Sequence, residues 1–372
     1  MATAIGVVAA FSGSVSSVAR AVEHTAAAEV HQVQVRSSAD GTRQRAWFFV
    51  PNQARCYKVN EPPVPLVVAL HSWKADYAHS TWRKYRGECS RFGFVMIHPN
   101  FRGPNTQPEA CGSDLAVQDV LDAVAFAKDN ARVDPRRIYL VGAFGGGHLA
   151  LLAAARAPQL WAGVSVWGAP TDLAAWYREV ENTDPLYADQ LHRICGGPPG
   201  SPATDPEYRK RSPLFHLAAA KGLRIDLNAG INDGHEDGPT RVSHTLRAFN
   251  ALAQVNDLSD RALPDETITQ FVKTRQTPQT LPDTWEPDIC RETKILFRRA
   301  AGPVRLTLFQ GTEELRDIDY YAAVRWLSQQ PARDLAADAP SLPTAIPASE
   351  PASEQASAPS GSPEPPAEEF ED

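Results

Sequence analysis

The chain has 372 residues, 43% hydrophobic and 22% charged, an ordinary globular balance with enough apolar material for a large core. A net charge of -7 without a long Lys/Arg run argues against a nucleic-acid or anionic-membrane partner. No apolar stretch reaches the roughly 20 residues that span a bilayer.

Residues 1–29 form a small-residue leader, MATAIGVVAAFSGSVSSVARA and onward. It reads equally as a signal-like segment with a poor cleavage site at 19–21 and no basic start, or as an unstructured Ala/Ser arm. An exported or periplasmic location follows from the first reading, a cytoplasmic one from the second. Segments 30–36 and 45–50 alternate apolar and polar residues like an antiparallel pair. Segments 65–70, 94–98, 137–141 and 162–166 are short and apolar on both faces, and 224–228 and 304–309 extend the series. Doubly apolar strands mark a parallel sheet covered by helices. Helical patterns fall at 114–130, 147–156 and 319–329, the last with Tyr320, Ala323, Val324 and Leu327 inward. The alternation predicts an α/β fold with an open, mostly parallel central sheet flanked by helices, in one ordered domain over 30–330. Two long excursions, about 170–222 and 257–301, are expected to carry function or to form a helical cap. The tail 331–372 is acidic and rich in Pro, Ala and Ser; it cannot bury enough apolar surface to offset its ordering entropy, so we expect disorder.

The five cysteines, Cys56, Cys89, Cys111, Cys195 and Cys290, are odd in number and widely spaced. They suit neither a zinc site nor a disulfide framework; they read as free thiols, or as one bridge in an exported protein. His235, Glu236 and Asp237 are neighbours in sequence and rarely would such residues point at one ion. No metal and no cofactor are expected.

The stretch IYLVGAFGGGHLA, 138–150, joins an apolar strand to an Ala-rich helix through a glycine turn. Such a turn lifts one side chain above the sheet at a helix N-terminus, where backbone N–H groups can stabilise an oxyanion. Here that side chain is Phe144, which has no nucleophilic atom. The alternative is an ordinary Gly-rich turn of unrelated origin.

Several segments in order, LVVALHSW, HPNFRGPNTQPEACGSDLAVQDVLDAV, RVDPRRIYLVGAFGGGHLALLAA, LNAGINDGH and VRLTLFQGTEE, give the chain a resemblance to the prolyl oligopeptidase/esterase type of α/β-hydrolase over roughly 30–330. The resemblance implies the α/β-hydrolase fold and a Ser–His–Asp triad. Phe144 then stands at the nucleophile position and Glu313 at the histidine position, while Asp233 keeps the acid position. An Asx-type turn closing a loop is the other reading of Asp233. A single group must accept a proton and return it near neutral pH, which suits imidazole and not Glu313. Two altered positions out of three imply a catalytically inactive homologue, a pseudoenzyme; the alternative is an active serine-type hydrolase of peptides or esters with displaced groups. Ser72, Ser113, His148, His235 and His244 are the candidates for such displacement. The resemblance also implies an oxyanion frame from Gly145 and the backbone after His71, at Ser72 and Trp73. Trp73, Trp167, Trp176, Tyr177 and Trp285, with Arg178 and Glu179 nearby, are expected around a ligand pocket at the carboxyl edge of the sheet. Equally, these aromatics would pack the cap on the core, with Phe144 filling the place of a substrate carbonyl. The expected partners are a small-molecule, sugar or peptide ligand, or a protein.

Overall fold

The computed structural model describes residues 29–235, 239–279, 281, 293–312 and 314–334. Its strands are β1 (Glu29–Arg36), β2 (Arg43–Val50), β3 (Val64–Leu70), β4 (Val95–Pro99), β5 (Val133–Ala143), β6 (Gly163–Trp167), β7 (Ile225–Gly230), β8 (Ile295–Ala301) and β9 (Val304–Phe309). They form one sheet in the order β1-β2-β4-β3-β5-β6-β7-β9-β8. The run from β4 to β9 is parallel, whereas β1, β2 and β8 join antiparallel. Every residue of β3, β4, β6 and β7 is buried, because helices cover both faces.

Side-chain alternation divides the core. On one face, Leu66, Val68, Leu140 and Val166 meet α2 (Asp114–Asn130), α3 (Gly145–Arg156) and α7 (Val242–Val255). On the other, Val67, Ala69, Met96 and Val141 meet α1 (Thr81–Phe92) and α9 (Asp317–Ser328), whose Tyr320, Ala323, Val324 and Leu327 face inward as their spacing predicts. Between β6 and β7 lie α4 (Leu173–Val180), α5 (Pro185–Cys195) and α6 (Asp205–Arg211), the helical insertion. Ser113 caps α2 by accepting from Ala116 N–H at 3.0 Å, and Asp172 caps α4 through Ala174 and Ala175 N–H.

The stretch 257–301 differs from a plain excursion: it contains α8 (Asp265–Thr274) and the border strand β8. Arg298 and Arg299 interrupt the apolar pattern of β8 because a border strand has one side open to water; Arg298 Nε donates to Thr307 Oγ1 and Arg299 to Arg261 O. At the opposite border, β1 buries Val35 while His31, Gln32 and Gln34 are exposed.

Candidate functional site

The turn between β5 and α3 is built by backbone contact. A Cβ on Gly146 would lie 2.7 Å from the Leu70 and His71 carbonyl oxygens, and one on Gly142 would lie 2.3 Å from Gly146 C. Only glycine allows helix and strand to approach so closely. The turn forces Phe144 into φ 50°, ψ -111°, a conformation that L-residues rarely adopt. Phe144 N–H donates to Trp167 O at 2.8 Å, and Phe144 O accepts from His148 N–H at 2.9 Å, so the strained residue is fixed from both sides.

The Phe144 ring is only 7% exposed. Its centroid lies 5.8 Å from Trp73, 5.6 Å from Trp176 and 5.7 Å from Tyr187. Trp176 and Tyr187 belong to α4 and α5, so the ring ties the insertion to the carboxyl end of β5. The indole N–H groups are satisfied: Trp73 Nε1 donates to Gln190 Oε1 and Trp176 Nε1 to Pro239 O, each at 2.8 Å. Trp73 and Trp176 therefore present no free face to a ligand; mutual burial, not pocket lining, is their role in the packing. Trp167 is also buried, against Phe309 and Ser165, and Tyr177 packs on Tyr208. Trp285 lies outside the described residues.

Beside Phe144 is a cleft of ≈ 380 Å³. Ser72, His79, Thr81 and Tyr85 line one part, and Thr312, Glu314 and Tyr320 another. Of the expected pocket residues, Ser72 is here, while His71 is buried beneath. The His71 ring stacks on Phe101 at 3.7 Å, and its Nε2–H donates to Asn100 O at 2.8 Å. Burial lowers its pKa to about 4, which keeps the imidazole neutral. A Cβ on Gly145 would lie 2.5 Å from Trp73 Cα, so the two segments expected to frame an oxyanion do abut.

Asp233 is buried, with Oδ2 accepting from Gly230 N–H at 3.0 Å and its own N–H donating to Gly230 O at 3.1 Å. It closes the turn after β7, as the local reading foresees. A Cβ on Gly230 would lie 2.7 Å from Asp233 Oδ1 and 2.4 Å from Gly311 O, so the carboxyl group neighbours the loop after β9. Glu313 lies outside the described residues; Thr312 and Glu314 on either side of it line the cleft with Phe144.

Apart from Ser72, the candidate substitutes are engaged elsewhere. His148 Nε2 meets Arg211 O at 2.7 Å, and burial lowers its pKa to about 4. His235 is exposed and meets Val272 O, while Glu236 and Asp237 lie outside the described residues. His244 Nδ1 accepts from Thr171 N–H at 3.2 Å and its Nε2 faces Glu179 Oε2 at 3.3 Å. Ser113 is a helix cap that donates to Glu109 O. No hydrogen bond between a serine hydroxyl and an imidazole occurs among the described residues. The same residues contain no cluster of three metal-ligating side chains and no helix long and apolar enough to cross a membrane. Sequence reasoning missed His79, Thr81 and Tyr85 in the cleft because α1, which carries two of them, was not foreseen; its thin stripe of Trp82, Tyr85 and Cys89 is the available signal.

Residues 88–264 match the prolyl oligopeptidase family. No curated protein matches the chain. Among solved structures, an acetyl xylan esterase from Paenibacillus sp. R4 is 16% identical over 82% of this chain and 89% of its own, with a TM-score of 0.53. The Pyrococcus horikoshii acylaminoacyl peptidase is 16% identical, with a TM-score of 0.48, over 61% of this chain and 35% of its own. A Mycobacterium tuberculosis puromycin-hydrolyzing peptidase is 20% identical, with a TM-score of 0.49, over 61% of this chain and 34% of its own. The match thus spans about a third of the length of those peptidases. The chain has the α/β-hydrolase fold and is similar to the prolyl oligopeptidase family over residues 88–264.

Proposed function

We propose that the protein is a catalytically inactive relative of prolyl oligopeptidase- and esterase-like hydrolases, which binds a small-molecule, sugar or peptide ligand, or a protein partner, at the cleft beside Phe144. The observation that carries this reading is the side chain at the strained turn. Phe144 occupies the apex where acyl transfer needs an oxygen or sulfur nucleophile, and its ring is committed to the packing of α4 and α5. Loss of one triad member alone removes several orders of magnitude in rate. The Glu313 assignment, which rests on the sequence resemblance, adds support: a carboxylate at the histidine position supplies no group to shuttle a proton at neutral pH. The cleft keeps hydroxyl groups from Ser72, Thr81 and Tyr85 and the carboxylate of Glu314, enough polar groups to orient a ligand.

A second reading, hydrolysis by displaced groups, draws on Ser72 and His79, which line the same cleft. A fluorophosphonate label combined with a short-chain nitrophenyl ester assay separates the two. We expect neither labelling nor turnover from the natural chain. Stoichiometric labelling of Ser72, or of any other serine, overturns the inactive reading. Esterase activity gained by F144S combined with E313H would support the assignment of both positions.

A further inference from the structure

A second cavity, of ≈ 480 Å³, opens between α4, α7 and α8 and shares no lining residue with the cleft beside Phe144. Ala175, Leu214, Ile268 and Val272 give it apolar surface. Its charged groups come from different walls. Asp172 and Glu179 belong to one face of α4 and its cap, Arg241 and Arg247 to α7 and its cap, and Lys273 to α8. Three of these five are accounted for. Asp172 Oδ1 accepts from the N–H groups of Ala174 and Ala175, Arg247 Nη1 faces Asp265 Oδ1 at 3.7 Å, and Lys273 is exposed to water.

Glu179 and Arg241 differ from them. The Glu179 side chain is 18% exposed, and its Oε2 meets His244 Nε2 at 3.3 Å. Because His244 Nδ1 accepts from Thr171 N–H, the ring proton is on Nε2. The imidazole therefore gives Glu179 a hydrogen bond but no positive charge. Among the described residues no Lys or Arg lies within 4.0 Å of that carboxylate, and no carboxylate lies within 4.0 Å of the half-buried Arg241. Two opposite charges thus line one cavity without pairing. Each keeps a desolvation cost that a group of opposite sign would offset.

We propose that this cavity is a second ligand site, independent of the cleft beside Phe144, and that it takes a free α-amino acid with a large aliphatic or aromatic side chain. The ammonium group of such a zwitterion meets Glu179, its carboxylate meets Arg241, and its side chain meets Leu214, Ile268 and Val272. A simple anion would leave Glu179 unmatched, and a simple cation would leave Arg241 unmatched. Either would also bring a like charge towards one wall, so the divided lining selects against both. His244 acts as a positioning residue here. Its Nε2–H holds one carboxylate oxygen of Glu179, so the other is free to accept from the ligand.

Calorimetric titration of the full chain at low salt with L-leucine and L-phenylalanine tests the assignment. Saturable binding is expected for at least one of them. Binding should weaken about tenfold or more for the corresponding amide, which lacks the carboxylate, and for the N-acetyl form, which lacks the ammonium. This comparison is made on the natural chain and needs no variant. E179Q keeps an acceptor for His244 while removing the charge, and R241Q removes the guanidinium; each should weaken binding by a similar factor with the circular dichroism spectrum unchanged. E314Q, in the cleft beside Phe144, should bind as the natural chain does. No saturation with either amino acid, equal binding of the amide or the N-acetyl form, or insensitivity to both E179Q and R241Q would overturn the proposal. Loss of binding in E314Q would assign the amino acid to the other cleft and overturn it too, while leaving the reading of that cleft intact.

Discussion

At Phe144 a backbone cost and a side-chain gain meet in one residue. Its left-handed φ stores about 1–3 kcal/mol of strain, which the surrounding contacts must over-determine. The buried ring among Trp73, Trp176 and Tyr187 supplies that constraint. The buried histidines impose a second residue-scale cost, one that depends on pH. Burial lowers the pKa of His71 and His148 to about 4 and that of His98 to about 3. These folded-state values lie below the ordinary value near 6.5, so the unfolded chain takes up protons first as pH falls. Their contribution is complete above about pH 6.5 and is lost as pH drops towards 4. For His71 and His148 the limiting loss is on the order of 3 kcal/mol each. Urea unfolding followed from neutral to acid pH should show the midpoint falling through this window. A midpoint unchanged down to about pH 4.5 would contradict the buried, neutral assignment.

Element by element, the capping of α4 offers the cleanest measurement. Asp172 accepts from two N–H groups in the first turn, and the helix carries Trp176 to the aromatic cluster. D172A should cost about 1 kcal/mol, within a usual range of about 0.5–2, and should raise the protease sensitivity of the insertion. Equal stability and equal cleavage would mean that packing alone holds α4. The elements also show what could be read in advance. The α2 helix has the bounds that its apolar spacing implies, and the doubly apolar β3, β4 and β6 stand where their runs place them. By contrast, α1 buries only Trp82, Tyr85 and Cys89 amid Arg and Lys, and β8 is broken by two arginines. Tertiary contacts, not local pattern, fix those two. The cleft inherited the same blindness: Phe144 and Ser72 were visible through the turn and the His71 loop, but Tyr85 and Thr81 arrive on α1.

Taken whole, the molecule is joined across its layers by central contacts. The Phe144 cluster links sheet and insertion, and Arg211 of α6 donates to Pro108 O and Cys111 O in the loop before α2. The insertion should therefore not melt alone. Tryptophan fluorescence, to which Trp73 and Trp176 contribute, and far-UV circular dichroism should give coincident denaturation curves. An early fluorescence transition would show the insertion releasing before the sheet. At this scale the parallel centre was implied by the alternation of segments, whereas the order of the strands, the border strand β8 and the joining of insertion to sheet through Phe144 depended on contacts far apart in sequence.

The borders of the sheet have a consequence for how copies of the chain behave in a crowd. Extension of the ladder past β8 would bring a neighbour's backbone against Arg298 and Arg299, and extension past β1 would bring it against polar His31, Gln32 and Gln34. Guanidinium groups stripped of water by an incoming strand repel a like-charged copy and penalise zipper-like growth. The two border strands should therefore disfavour fibril-like growth.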